Sequence, residues 1–425
     1  MTLVARTRRL DADVDLLAFA GDDGYVFDKG RAGLAGRGRA LVIDWPAGDA
    51  AAAARHVAEV LAGITVDDQV RVPGTGPVAF GALPFVPDGG ARLVVPRVIA
   101  GRAADGTRWI TVVADDSGDT TGAPADVSEE GLPDPDAPTA DDLVGRRATH
   151  RQPQRYAVEA AHAPEWWCGL VGRATKAMAG DAFDKVVLAR RLDVTADAPF
   201  DRHAVLDRLR TAYPGCHIVG IDGFVAASPE LLVSVAGDIV RSHPMAGTAP
   251  RGGDPATDQR LAASLLASAV YRHEHQVTIE AVHDTLLGWC SYVDYEAEPS
   301  VVAVANLQHL ATLVEGRLSR PAPSVLDLVA ALHPTPAVAG RPLDRAVSWI
   351  AENEGIDRGR YAGTAGWVDA AGNGAWAVSV RCAEIDGATA RVFAGNGIVA
   401  GSDPETELAE TRVKFQALLS ALVRP

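Results

Sequence analysis

Apolar and polar positions alternate along "FDKVVLARRLDV", Phe183 to Val194. Lys185, Val187 and Ala189 fall on one side and Val186, Leu188 and Arg190 on the other, which predicts a β-strand. From Cys216 to Thr248, short strand-like runs are separated by turn signals at Asp222-Gly223, Ser228-Pro229 and Gly237-Asp238. This pattern predicts an antiparallel meander, with Glu230 just after a turn. The period then lengthens. Asp258 to Trp289 predicts one long helix on which Ala267, Val270, Glu274, Val277 and Ala281 share a face at spacings of three and four. A carboxylate on an apolar face must be protonated, paired or bound to a cation. Alternation returns in "WAVSVRCAEI", Trp376 to Ile385, where Arg381 shares a side with Ala377 and Ser379, either as part of a surface face or lining a pocket. A glycine-rich loop, "AGNGIVAGSDPE", is expected to lead into a last helix over Ser402–Leu422.

Before residue 115 the pattern is mostly short strands, such as "ARLVVPRVIA", with one Ala-rich helical stretch, "AGDAAAAARHVAEVLAG". Asp115 to Asp142 is acidic, rich in Pro and Gly and nearly devoid of large apolar residues, so it reads as a loop or linker that adds little core. A chain of 425 residues, 48% hydrophobic and 22% charged, has enough apolar surface for one large domain or two to three ordinary ones. A formal charge of −15 argues against sequence-independent binding of nucleic acid or anionic membranes, so an anionic substrate must be met by local cations. Cys168, Cys216, Cys290 and Cys382 show no C-x-x-C spacing, which points to reduced thiols and a cytoplasmic setting. Neither a signal-peptide run nor a membrane span is expected.

On the last helix Glu407, Glu410 and Lys414 lie within an arc of roughly 60° beside the stripe Leu408, Phe415, Leu418, Leu419 and Leu422. They form either an ordinary helix-end acid with an i,i+4 pair or a cation site at the edge of the core. Zinc at His273 and His275 is rejected, because helical chelation uses i,i+4 spacing. Gly395-x-Gly397-x-x-Ala400 loosely matches a dinucleotide fingerprint, but no βαβ unit follows. What remains is the ability of glycine backbone to approach an anion.

The set "DKVVLAR", "SPELL", "MAGT", "RHEHQV", "LHPTPAVAG", "YAGTAGWVD", "VRCAEI" and "AGNGIVAGSDPETELAET", followed by Lys414, resembles the chorismate-utilising enzymes, and isochorismate synthase in particular. The resemblance spans Lys185 to Lys414, and the first 180 residues are less diagnostic. It implies an α+β fold of two large, mainly antiparallel sheets packed together with helices outside. It also implies one domain over residues 1–425 with a catalytic core over 155–422, which makes the acidic stretch a surface excursion.

The resemblance further implies Mg²⁺ held by Glu274 and Glu410, with Glu407 near its water shell. Chorismate carboxylates would be bound by Arg381, Lys414, Tyr361 and the amides around Gly247, Thr248, Gly395 and Gly397, with His333 and Ala337 in the same set. Lys185 would be the general base that activates water for C2, and Glu230 the general acid for the C4 hydroxyl. Relatives that add ammonia carry P-x-G-[ST] where this chain has "PTPA", Pro334 to Ala337, so water is the expected nucleophile and no amidotransferase partner is expected. Tyr361 also resembles salicylate synthase, which goes on to eliminate pyruvate, and a binding homologue with impaired turnover is the other alternative. Val270-Tyr271 departs from the Lys-Asp common in relatives and removes an acid near Glu274. Asn396 replaces a more usual Ala.

Overall fold

The computed structural model describes residues 2–86, 89–115, 132–148, 151–251, 253–304 and 307–423. Most of the acidic stretch expected as a surface excursion falls on residues 116–131 and lies outside the described residues.

The alternation around Lys185 becomes the strand Lys185–Ala196, which pairs antiparallel with Thr389–Val399 along its length and with Tyr156–Ala160 near its end. These strands belong to a 13-stranded sheet, and a nine-stranded sheet packs against it. Val186, Leu188 and Phe224 of the first sheet share one apolar core with Phe80, Val233 and Trp376 of the second. Helices lie outside. Phe415 and Leu418 of Pro404–Val423 join Leu206 and Leu209 of Arg202–Ala212 in a second cluster on the outer face of the larger sheet. The chain is therefore α+β, and mainly antiparallel. Among the described pairings only Leu3–Arg9 with Thr65–Asp68 is parallel. A small third sheet, Met245–Pro250, Leu307–Ala311 and Ser300–Val304, adds to the two expected.

The first 115 residues share both large sheets with the rest of the chain. Tyr25–Lys29 pairs with His217–Ile221 in one sheet, and Val78–Leu83 pairs with Thr364–Asp369 in the other. No helix among the described residues is long and apolar enough to cross a membrane. All four cysteines are free thiols.

Four local expectations are corrected. The meander is divided among sheets: His217–Ile221 and Phe224–Ser228 lie in the larger, Leu231–Ala236 and Ile239–His243 in the second, and Met245–Pro250 in the third. The long helix is two, Pro255–Ala267 and Ala269–Leu287, because Ser268 leaves helical geometry and caps the second with its side chain on the Tyr271 amide. Such a cap contributes about 1 kcal/mol. "WAVSVRCAEI" is also two strands, Gly374–Val378 in the smaller large sheet and Cys382–Asp386 in the larger. The glycines of "AGNG" lie inside the strand Thr389–Val399 rather than in a loop, and only a short turn precedes the last helix.

Candidate active site

Two of the chain's crossings between the large sheets lie at neighbouring points. The chain leaves the larger sheet through Pro229-Glu230 and returns through Ser379–Arg381. The crossings are tied together: the Val378 amide donates to the Glu230 carbonyl at 3.1 Å, and the Ala227 amide donates to the Arg381 carbonyl at 3.1 Å. Arg381 adopts φ 49°, a backbone conformation that side-chain-bearing residues rarely take. Two broken strands thus deliver an acid and a guanidinium to the interior, which a continuous strand face would not do.

Beside these crossings lies a cavity of about 150 Å³, lined by Lys185, Glu230, Gly247, Thr248, Glu274, His309, Ala337, Tyr361, Arg381, Gly395, Gly397 and Lys414 among others. A wider cavity of about 720 Å³ shares Lys185, Glu274 and Lys414, and adds Tyr271, Asn396, Glu407 and Glu410. The structure therefore brings together nearly every residue proposed from sequence. His333 is the exception. It is absent from the lining of both cavities, and its Nε2 lies 3.1 Å from the Pro84 and Phe85 carbonyls, so it ties the end of the helix Val325–Leu332 to the segment that follows the strand Val78–Leu83.

Each position has a local cause. Lys185 opens its strand on the face shared with Val187, and that face meets Gly395 and Gly397 across the ladder. A Cβ on Gly397 would stand 2.7 Å from the Lys185 Cε, and one on Gly395 would stand 2.6 Å from the Tyr361 hydroxyl. The glycines make room for side chains above the strand. Gly397→Ala is accordingly expected to displace Lys185 and lower turnover by about tenfold or more. Steady-state kinetics beside a melting curve checks this, and unchanged turnover would contradict it. At Gly247, φ is 76° and the pairing with Leu307–Ala311 slips between Ala246 and Thr248. Such a bulge re-aims backbone groups toward a site.

Glu274 is not packed on an apolar face as expected. The core side of its helix is His275, Thr278, Ile279, Val282 and Leu286, whereas Val270 is 71% exposed and Glu274 looks into the cavities. His275 is buried with its Nε2 2.8 Å from the Thr312 hydroxyl, and His273 lines the wider cavity. Lys185 Nζ donates to Glu274 Oε1 at 2.6 Å, and Lys414 Nζ donates to Glu410 Oε1 at 2.7 Å. Lys414 also donates to the Gly395 carbonyl and to Asn396 Oδ1 at 2.8 and 2.9 Å, which engages all three ammonium donors. Glu407 accepts from Ser402 and from Asn396 Nδ2, each at 2.8 Å, and burial raises its pKa.

Glu230 is buried at 7% exposure, and among the described residues its carboxyl has no cation in contact and only a long 3.5 Å bond from the Met245 amide. Burial pushes its pKa up to about 7, against smaller lowering effects from that amide, Lys185 and Arg381. Arg381 donates from Nη2 to His309 Nε2 at 2.6 Å, while its Nη1 is buried without a hydrogen-bond partner among the described residues. Tyr361 stacks on Phe393, with ring centroids 5.2 Å apart. His309 was not anticipated. It sits in the strand run "LQHLA", where a polar residue among apolar neighbours was the available signal.

The site thus offers an amine, an acid that can stay protonated near neutrality, a cluster of carboxylates, and cationic and amide donors suited to carboxylates. Together with two packed antiparallel sheets, that set suits an enzyme of acid–base chemistry on a small carboxylic acid. The family model for chorismate binding enzyme matches residues 19–423, and the chain belongs to that family. A Mycobacterium tuberculosis protein provisionally named isochorismate synthase MenF is 45% identical over 269 residues, which are 59% of this chain and 72% of that protein. Isochorismate synthase MenF of Bacillus subtilis is 32% identical over 377 residues, 84% of this chain and 77% of its own length. The menaquinone-specific isochorismate synthase MenF of Escherichia coli has the same fold, with TM-score 0.79 at 23% identity over 99% of this chain and 94% of that one.

Proposed function

We propose that this chain is an Mg²⁺-dependent isochorismate synthase, converting chorismate to isochorismate by adding water at C2 with loss of the C4 hydroxyl. The observation that carries the proposal is the sharing of one cavity by Lys185 and the buried, readily protonated Glu230. Lys185 takes a proton from the water that attacks C2. The ring double bonds shift, and the C4 oxygen leaves as water with the proton from Glu230. One water enters and one leaves, so substrate and product are isomers. Arg381, with the amides at the Gly247 bulge, holds the carboxylates of the substrate, and Lys414 joins them once one of its three bonds to Glu410, Gly395 and Asn396 is exchanged.

The donor set suits a hard divalent cation, because Glu274, Glu410 and Glu407 supply only carboxylate oxygens. Among the described residues no ready cage of three or more such ligands is present. Instead, two of these acids each hold an ammonium group, so both places already favour positive charge. Glu274 and Glu410 would hold Mg²⁺ directly and Glu407 through water. When bound, the ion would supply charge against the ring carboxylate. Lys185 serves as base only after its bond to Glu274 is exchanged, so the base and the cation-holding carboxylate are linked in one contact.

Running the reaction in ¹⁸O-water tests the route. Label at C2 of isochorismate supports it, and retention of the original oxygen contradicts it. Salicylate and pyruvate as main products would move the chain to the salicylate synthase alternative, and binding without turnover would make it a binding homologue. The pH dependence follows from Glu230. Its raised pKa keeps the acid protonated below about pH 7 and ionises it above, so kcat/KM should show a descending limb centred near 7. A profile flat to high pH would contradict that role. Tyr271 lines the wider cavity with the acids, and their charges help raise its pKa after burial itself. Tyr271→Asp should lower the Mg²⁺ concentration needed for half activity, and an unchanged or raised requirement would exclude the position from the cation's surroundings.

A further inference from the structure

The Gly247, Thr248 and Arg381 side of the inner cavity holds a chain of hydrogen bonds whose direction can be worked out. Arg381 Nη2 lies 2.6 Å from His309 Nε2. A guanidinium only donates, so Nε2 must be the unprotonated, accepting nitrogen. A neutral imidazole carries one ring proton, and here that proton must be on Nδ1. Nδ1 lies 3.1 Å from Thr248 Oγ1. A protonated Nδ1 has no lone pair to offer, so the Thr248 hydroxyl hydrogen cannot point at the ring. Among the described residues Thr248 Oγ1 has no other side-chain or backbone partner, and the residue lines the cavity.

The neutral form of His309 agrees with its surroundings. Burial, followed by the charges of Arg381 and Lys414, holds the imidazole pKa well below its ordinary value. The Gly247 backbone opposes this more weakly. Arg381 adds a second donor among the residues that line this cavity, its buried Nη1, which has no hydrogen-bond partner among the described residues.

We infer that His309 is a positioning residue which, as the Nδ1-protonated neutral tautomer, makes the Thr248 hydroxyl an obligatory donor into the cavity. This side of the site then accepts a group that offers only lone pairs, a carboxylate, and disfavours an alcohol or amide in that place. The inference rests on the proposed function for the identity of the ligand, but the tautomer and the direction of the hydroxyl stand on this hydrogen-bond geometry alone.

The test has two independent parts. In ¹⁵N-histidine-labelled, substrate-free protein, long-range ¹H–¹⁵N spectra should show a neutral His309 protonated at Nδ1, assigned by its loss in His309→Gln. A proton on Nε2, or an imidazolium, overturns the inference. Affinities for chorismate and for benzoate, the simplest ring carboxylate, are then measured by calorimetry. Thr248→Val should weaken binding by about tenfold, as expected for one hydrogen bond to a charged group. Thr248→Ser should regain most of that loss. In a His309→Gln background, Thr248→Val should weaken binding by less than about threefold, because the hydroxyl is no longer directed. Additive losses, or a Thr248→Val variant that binds as wild type, overturn the inference. Benzoate binding with the expected tautomer and coupling, but no chorismate binding, would leave the inference standing and overturn the proposed substrate. A wild type that binds neither overturns both.

Discussion

Lys185→Ala and Glu230→Gln are each expected to lower kcat by roughly 10²-fold or more while changing chorismate affinity much less. The expectation comes from where the two groups stand. Lys185 opens a strand above Gly397, and Glu230 sits buried at a sheet crossing with no ion pair among the described residues, so neither is needed to hold a carboxylate in the ground state. In the proposed function that work falls to Arg381 and the bulge at Gly247, with Lys414 joining once one of its three bonds is exchanged. Loss of the amine removes water activation, and loss of the acid leaves the C4 hydroxyl a poor leaving group, so both changes act on the transition state. Kinetics with separate calorimetry of chorismate binding decides the matter. A loss of affinity equal to the whole loss in kcat/KM would make the residues binders only.

Glu274→Gln and Glu410→Gln form the second large expectation. Each amide fills the space of the acid but attracts a dication far less, and activity should fall by roughly 10²-fold at low Mg²⁺. The fold should survive, because the Glu274 and Glu410 side chains are 27% and 35% exposed and both lie at cavity walls rather than in the apolar clusters. Metal affinity, read with Mn²⁺ by paramagnetic resonance, should weaken in parallel. A variant that keeps near-normal turnover at low Mg²⁺ would remove its residue from the ligand set.

Much of this site was legible from local pattern. Period-two alternation placed Lys185 and Val187 on one strand face, and both line the cavity. Helical spacing put Glu407, Glu410 and Lys414 on one arc, and all three line the wider cavity. The sheet crossings were not legible. "WAVSVRCAEI" keeps its apolar–polar alternation in sequence through Ser379–Arg381, yet both of its faces are buried, and the change of sheet depends on partners distant in sequence. The same holds for "AGNG". Glycines there suggested a loop, yet a paired strand needs them, because Lys185 and Tyr361 occupy the space a Cβ would take. Glu274 was read as packed among apolar neighbours, since spacing identifies a shared face but not whether that face meets core or cavity. Asn396, noted only as a departure, joins Glu407 and Lys414 through its amide, a contact between strand and helix that no local pattern reports.

The central claim is most directly tested by incubating the purified protein with chorismate and following the products by NMR, with millimolar Mg²⁺ and again after chelation. Isochorismate formed with the metal and lost without it is the predicted result. No conversion of chorismate at millimolar Mg²⁺ would contradict the account.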